Sequence, residues 1–202
     1  MDALAYRLNE SSSVTQSIEP YFLKRWSGRA FADKPVTAAQ VEQLIEAARW
    51  APSCFNAQPW RFGFALRGTD AFVQALSALV EGNQIWAKDA SVLMAVVSRT
   101  TYEHNEKDAP THSFDAGAAW MSLALQASAM GLVSHAMAGY DPASASAAWQ
   151  VPSPYVIEAI IAVGYPGNPE DLPEALRARE LPAPRKDLKD VCFKDSFSAL
   201  KA

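Results

Sequence analysis

Apolar positions recur along this chain with two different periods, and the changes of period divide it into elements. Val41, Leu44, Ile45 and Ala48 follow one another at helical spacing. Thr37, with Gln40 three residues on, makes a capping box at their head, and Pro52 stops the run. Trp60 to Leu66 instead alternates, as a half-buried strand does. Phe72, Leu76, Leu79 and Val80 form a second helical stripe, capped by Thr69 or Asp70. Ser91 to Ser98 and Val156 to Gly164 are apolar runs of strand length, which predicts two buried strands. The polar stretch Arg99 to Pro110 reads as a surface loop. The uncharged segment Ala116 to Val133 predicts a long helix, with Ser113 as its cap and Gly131 at its end. Asp141-Pro142 is a cap followed by a first-turn proline, so a short helix to Trp149 is expected.

The two ends are less regular. Residues 1–13 read as a mobile start, and helical pattern runs from about Val14 toward Lys24. From 166 to 202 the chain is rich in proline and charge. It reads as an extended C-terminal arm, with Val191-Cys192-Phe193 docking as a strand. Helices and strands mix irregularly, without internal repeats. The expected fold class is α+β, with a mainly antiparallel central sheet flanked by helices in a single domain over 1–202.

Composition narrows the function classes. A chain of 202 residues that is 50% hydrophobic and 20% charged suits one compact domain. A net charge of −4 makes no whole-chain case for nucleic acid. The uncharged segment is rich in Ala, Ser and Gly, with Gln126 in its middle. Its apolar weight is low for a membrane span, and a helix buried in a core or a dimer interface fits better. Cys54 and Cys192 form no disulfide framework, and His104, His112 and His135 are too scattered for a zinc site. These features favour a reducing cytoplasm.

Two clusters carry candidate chemistry. Arg25, Ser27 and Arg29 place two guanidiniums and a hydroxyl within five residues, a set that suits a phosphate; taken alone, such a triplet reads rather as a solvated basic helix end. The loop from Ala51 to Trp60 is fixed by Pro52 and Pro59. Between them Ser53, Asn56 and Gln58 can bond a ligand that has both donors and acceptors, such as the edge of a flavin ring. A satisfied turn beside Trp60 is the plainer reading. His104 and His112 read as surface-loop residues, and Trp120 and Trp149 as core or interface aromatics.

Arg25-Trp26-Ser27-Gly28-Arg29-Ala30-Phe31, a capped helix, and then the stretch from Ala51 through Cys54 and Asn56 to Trp60 resemble the nitroreductase family. Asn83, Gly131-Leu132, Gly139-Tyr140 and Gly164-Tyr165-Pro166 continue that resemblance in order, over residues 18 to 193. It implies a nitroreductase-like fold in an intertwined homodimer, with two FMN sites at the subunit interface. Arg25, Ser27 and Arg29 would hold the phosphate and the ring's polar edge. Ser53, Cys54 and Asn56 would reach the flavin from the partner subunit. Asn83 would bond the ring or its side chain, and the backbone N–H groups of Ala138 and Gly139 would approach N5 and O4. Arg185 and Lys186, on the arm, would close over the phosphate. The implied activity is ping-pong reduction of nitroaromatics, quinones or related small acceptors by NADH or NADPH. The chain departs from the family pattern in three places. Cys54 stands where a second serine is common. Trp86 stands where lysine is often found, and either stacks near the ring or packs. Ala138 replaces an acidic residue. Two alternatives stand beside this reading: a non-catalytic flavin-binding protein, or an enzyme with Cys54 as nucleophile and His112 or His135 as base.

Overall fold

Local chemistry sets where the helices begin. The computed structural model describes residues 16–197; the expected mobile start at 1–13 lies outside them. Helix α1 is Pro20–Lys24, with proline in its first turn. The helix expected from Val14 therefore opens only at Pro20, which lacks the N–H needed to continue a helix and is suited to starting one. Val14 itself lies outside the described residues. Helix α2, Ala38–Arg49, carries the expected capping box: Gln40 N donates to Thr37 Oγ1 at 3.3 Å, and Thr37 N donates to Gln40 Oε1 at 3.0 Å. In α3, Asp70–Ser77, the cap is Thr69, whose Oγ1 accepts from Phe72 N. Val80, expected in that apolar stripe, is instead the N-cap of α4, Glu81–Ala87, and is 49% exposed.

The long uncharged segment folds as α5, His112–Ala129. Its N-cap is Thr111, with no side-chain cap bond, rather than Ser113. Ser113 lies inside the first turn, where its hydroxyl donates to Glu158 Oε1 at 2.8 Å. Gly131, at φ 71°, ends the helix as expected; Leu132 N then reaches back to Ala127 O at 2.8 Å, a closure that needs a left-handed residue between. Helix α6 is Pro142–Trp149, capped by Asp141 Oδ1 accepting from Ser144 N at 2.7 Å.

Four strands form one sheet: β1 Trp60–Leu66, β2 Val92–Arg99, β3 Val133–Met137 and β4 Tyr155–Gly164. Their order is β1-β2-β4-β3 and every pairing is antiparallel. Side chains alternate across the sheet. Val92, Met94, Ile161 and Val163 face the cluster that includes Val41 and Leu44 of α2 and Ala119 and Leu123 of α5. Leu93, Ile160 and Ala162 face the other, with Phe72 of α3, Trp86 of α4 and Ala145 of α6. Helices thus cover both faces of an antiparallel sheet, the α+β arrangement expected. Among the described residues no helix is long and apolar enough to cross a membrane.

A β-bulge changes the reading of His112. The β2–β4 register shifts between Val96 and Val97, which face Ala159 and Ile157, so Glu158 is the extra residue. The bulge turns its carboxylate toward the start of α5. There Glu158 Oε1 accepts from Ser98 Oγ at 2.5 Å, and His112 Nδ1 lies 2.7 Å from the same hydroxyl. His112 is therefore not a surface-loop residue but part of a polar network that joins β2, β4 and α5. The stretch after β2 is a surface loop, as expected, closed by a Thr101–Asp108 bridge and by Arg99 pairing with Glu106 at 2.7 Å.

The C-terminal arm returns along the segment after α1. Ala32 N donates to Tyr165 O at 3.0 Å, and Gly167 N to Ala30 O at 2.9 Å. The short helix α7, Glu174–Arg177, follows. Val191-Cys192-Phe193 does not dock as a strand. The preceding 3-10 turn, Leu188–Asp190, closes its own backbone bonds, and Val191 and Phe193 are 60% and 46% exposed.

Candidate active site

The segment 25–29 leaves α1 in extended form and passes under the returning arm. A carboxylate fixes the two together. Glu180 is 4% exposed, and its Oε1 accepts from Arg29 N at 2.6 Å and from Ala30 N at 2.9 Å. Its Oε2 has no hydrogen bond and faces the Arg29 guanidinium at 3.8 Å. Leu172, Leu176 and Pro182, all buried, anchor the arm on either side of it.

Between segment and arm lies a cavity of about 530 Å³. Arg25, Ser27, Arg29 and Arg185 line it together, as the sequence reading requires, and Arg179 and His135 complete its polar wall. Lys186 does not line it and is exposed. The volume lies within the range of small-ligand sites. Its walls repel one another: burial pushes the Arg25 pKa down, and the neighbouring Arg185 adds to this. Burial also lowers Arg29, partly offset by Glu180, while Arg179 adds repulsion. Guanidiniums brought together and partly desolvated are stabilised by an anion placed among them. A phosphate fits this donor set.

Two elements link the cavity to the other expected residues. Strand β3 carries His135 and leads directly into Ala138 and Gly139. Helix α4 carries Trp86 and, three residues earlier and so on the same side, Asn83. Asn83 Nδ2 donates to Gly139 O at 3.0 Å, and Val80 N donates to the same oxygen at 3.0 Å. A Cβ on Gly139 would stand 2.7 Å from Asn83 Nδ2, so this approach requires glycine. Trp86 is 1% exposed; of its two expected roles, packing is the one the structure shows. Its ring stacks on Phe31 at 6.2 Å, and it supports His135 at 4.8 Å and the Arg29 guanidinium at 5.9 Å.

Ser53, Cys54 and Asn56 lie elsewhere. Their loop sits on the start of α5, where Asp115, buried at 4% exposure, accepts from Cys54 N at 3.1 Å. Ser53 Oγ accepts from Gln58 N at 3.0 Å. Phe55, Asn56 and Gln58 all adopt positive φ, so the loop is held in a strained form. Within one chain these residues do not line the arginine cavity. Phe55 and Phe114 beside them are 85% and 81% exposed. The Tyr102 hydroxyl donates to Cys54 Sγ at 3.5 Å, and that bond is the main cause of a raised Tyr102 pKa. Among the described residues neither histidine bonds to Cys54: His112 bonds to Ser98, and His135 donates from Nδ1 to Gly28 O at 3.2 Å. The cysteine-nucleophile alternative thus lacks its base.

Sequence reading missed three contributors. Glu180 carried no signal, since it sits in an arm dense in charge. Asp115 was visible as the lone charge heading an uncharged helix, but not as the anchor of the 53–56 loop. His135 was read only as a possible base, and periodicity could not place it in the cavity.

Replacing Glu180 by Ala leaves two backbone N–H groups without an acceptor and should cost about 3 kcal/mol. The urea midpoint should fall, and trypsin should cut at Arg185 and Lys186 faster; an unchanged midpoint contradicts the stapling role. A second outcome concerns pH. Burial, with Arg29 and Arg25 nearby, lowers the His135 pKa from 6.5 to about 4, against the opposing pull of the Gly28 and Ser27 carbonyls. Its folded-state pKa lies below its unfolded one, so the unfolded chain binds more protons between those values. This contribution to stability is complete above pH 6.5 and is lost as pH falls toward 4. The urea-midpoint difference between wild type and His135→Phe should shrink over that window; a constant difference contradicts it.

A profile of the Nitroreductase family matches residues 23–67 and 63–165. An NADH dehydrogenase of Thermus thermophilus is 29% identical over 177 residues, covering 72% of this chain and 85% of that one. A crystal structure described as an oxidoreductase containing FMN is 41% identical and superposes with a TM-score of 0.87, over 91% of this chain and 94% of its own. A nitroreductase family protein from Streptococcus pneumoniae TIGR4 shares the fold at a TM-score of 0.70 and 21% identity, over 86% of this chain and 98% of that one. The family's profile covers well over half of the sequence, and the chain belongs to the nitroreductase family.

Proposed function

We propose that this chain is an FMN-dependent oxidoreductase that uses NADH or NADPH to reduce nitroaromatics, quinones or related small acceptors. The observation that carries the proposal is the cavity of about 530 Å³ in which Arg25, Ser27, Arg29 and Arg185 converge. The FMN-containing relative at 41% identity supports the cofactor, and the Thermus thermophilus relative supports NADH as a donor. In this reading the whole chain is one FMN-binding domain, and neither nucleic acid nor a membrane is a partner. Cys54 and Cys192, both unbridged, suit a reducing cytoplasm.

The chain's own residues would bind and orient. Arg25, Ser27, Arg29 and Arg185 would hold the phosphate and the ring's polar edge, with Lys186 beside Arg185 on the arm. Asn83, held by Gly139, would bond the ring or its side chain. The backbone N–H groups of Ala138 and Gly139 would donate at the ring's N5 and O4 edge and stabilise charge there by fixed dipoles. When bound, FMN supplies hydride transfer between donor and acceptor. The reading makes the two half-reactions successive in one slot, a ping-pong order.

A homodimer would account for the separation of the two residue sets. Ser53, Cys54 and Asn56 would reach the second copy's cavity, so that each site is completed by two chains. The exposed Phe55 and Phe114 beside that loop support a contact there, since large exposed aromatics mark association surfaces.

The phosphate role is tested by titrating the apoprotein with FMN and reading flavin fluorescence. The double variant Arg25→Ala, Arg29→Ala removes two charge-assisted contacts and should weaken binding by about a hundredfold or more. Unchanged affinity would refute the assignment.

A further inference from the structure

We propose that His135 is a cofactor-binding residue whose Nε2 accepts a hydrogen bond from a hydroxyl of the polyol that joins the flavin ring to its phosphate. This deepens the FMN reading and rests on it.

The ring's orientation is fixed on both sides. Trp86 lies against it at 4.8 Å, and Nδ1 is 3.2 Å from Gly28 O. A carbonyl oxygen accepts only, so Nδ1 carries the proton and a neutral ring leaves Nε2 as an acceptor. The ring's hydrogen bond is that of Nδ1 to Gly28 O, and the Ser27 carbonyl also lies close to the ring. His135 lines the arginine cavity, where a ligand hydroxyl would meet Nε2.

The rest of the polar wall explains why an acceptor matters there. Arg25, Arg29, Arg179 and Arg185 are donors, and Ser27 Oγ already accepts from Arg25 Nη1 at 3.3 Å. Donors alone satisfy a phosphate, which has only acceptors to offer in its dianionic form. A polyol also has O–H groups to donate, and a hydroxyl enclosed without an acceptor is costly. Protonation of His135 would remove that acceptor, and the charges around it oppose protonation. Arg25 and Arg29 face it from the segment after α1. Arg179, Arg185 and Glu180 stand on the arm, with the Glu180 carboxylate turned to Arg29. From α4 it meets the uncharged Trp86. A neutral histidine among guanidiniums therefore suits a ligand in which hydroxyls lie beside a phosphate, and not a phosphate alone.

The test compares FMN and riboflavin binding to wild type, His135→Phe and His135→Gln, each checked for folding by its thermal midpoint. Phenylalanine keeps the contact with Trp86 and lacks an acceptor; glutamine restores an oxygen near the position of Nε2. The expected result is a roughly fivefold or greater rise in the FMN Kd for His135→Phe, with glutamine recovering most of it. Riboflavin should lose affinity by the same factor, because the contact is to the polyol. Arg25→Ala should instead weaken FMN and leave riboflavin nearly unchanged. FMN affinity of His135→Phe within twofold of wild type overturns the assignment and leaves the cofactor reading standing. So does an equal loss in both variants, or a loss for FMN that riboflavin does not share. A wild type that binds no flavin fails the cofactor reading itself.

Discussion

Two backbone N–H groups pointing at one buried carboxylate hold this site together. Glu180 reaches Arg29 and Ala30 from 150 residues away in sequence and receives both donors on one oxygen. Together with the Ala32–Tyr165 and Gly167–Ala30 backbone bonds, it holds the segment 25–29 and the C-terminal arm against each other. Arg25 and Arg29 lie on one, Arg179 and Arg185 on the other, and their guanidiniums repel. A carboxylate removed from water is tolerated only where it is bonded and paired, and here that requirement fixes the wall of a cavity. The second carboxylate oxygen, left to Arg29 alone, ties the same anchor to the ligand-facing side chain.

The sheet supplies the other fixed points. An antiparallel order with β3 at the edge lets His135 open on the cavity while Ala138 and Gly139 lie just beyond the strand's end. Helix α4 then serves both places, with Asn83 bonded to Gly139 and Trp86 packed under His135 and Arg29. Trp86 gives up any direct polar role in exchange for rigidity. It is buried against Phe31, so the cationic wall rests on an aromatic floor. The family reading's departure at this position thus has a structural sense: the charge in the cavity comes from segment 25–29 and the arm, and α4 contributes support.

What the sequence made legible follows from how local each cause is. The Thr37 capping box, the Asp141 cap, the Gly131 stop and strands β1, β2 and β4 all arise from neighbouring residues, and each stands where expected, whereas β3, Val133–Met137, was not read from the sequence. Pro20 was also a local signal, and heeding it would have shortened the first helix. Glu158 and His112 were beyond local reading, because a one-residue bulge between β2 and β4 brings them together. Glu180 is the extreme case, as its partner atoms are backbone groups and leave no trace in residue type. The arginines proposed to hold a phosphate could be picked out by composition, but their sharing of one cavity depends on that unreadable staple. The 53–56 loop was legible as a motif, whereas the structure of one chain sets it apart from the arginines.

On the proposed function, this fold carries a flavin that a nicotinamide can reduce. An anaerobic stopped-flow record of the FMN-loaded protein mixed with NADH and, separately, with NADPH tests this. The flavin's visible absorbance should be lost with at least one donor and return when a quinone or nitroaromatic is added. A bound flavin that keeps its absorbance with both donors would contradict it and leave a flavin-binding protein without reductase activity.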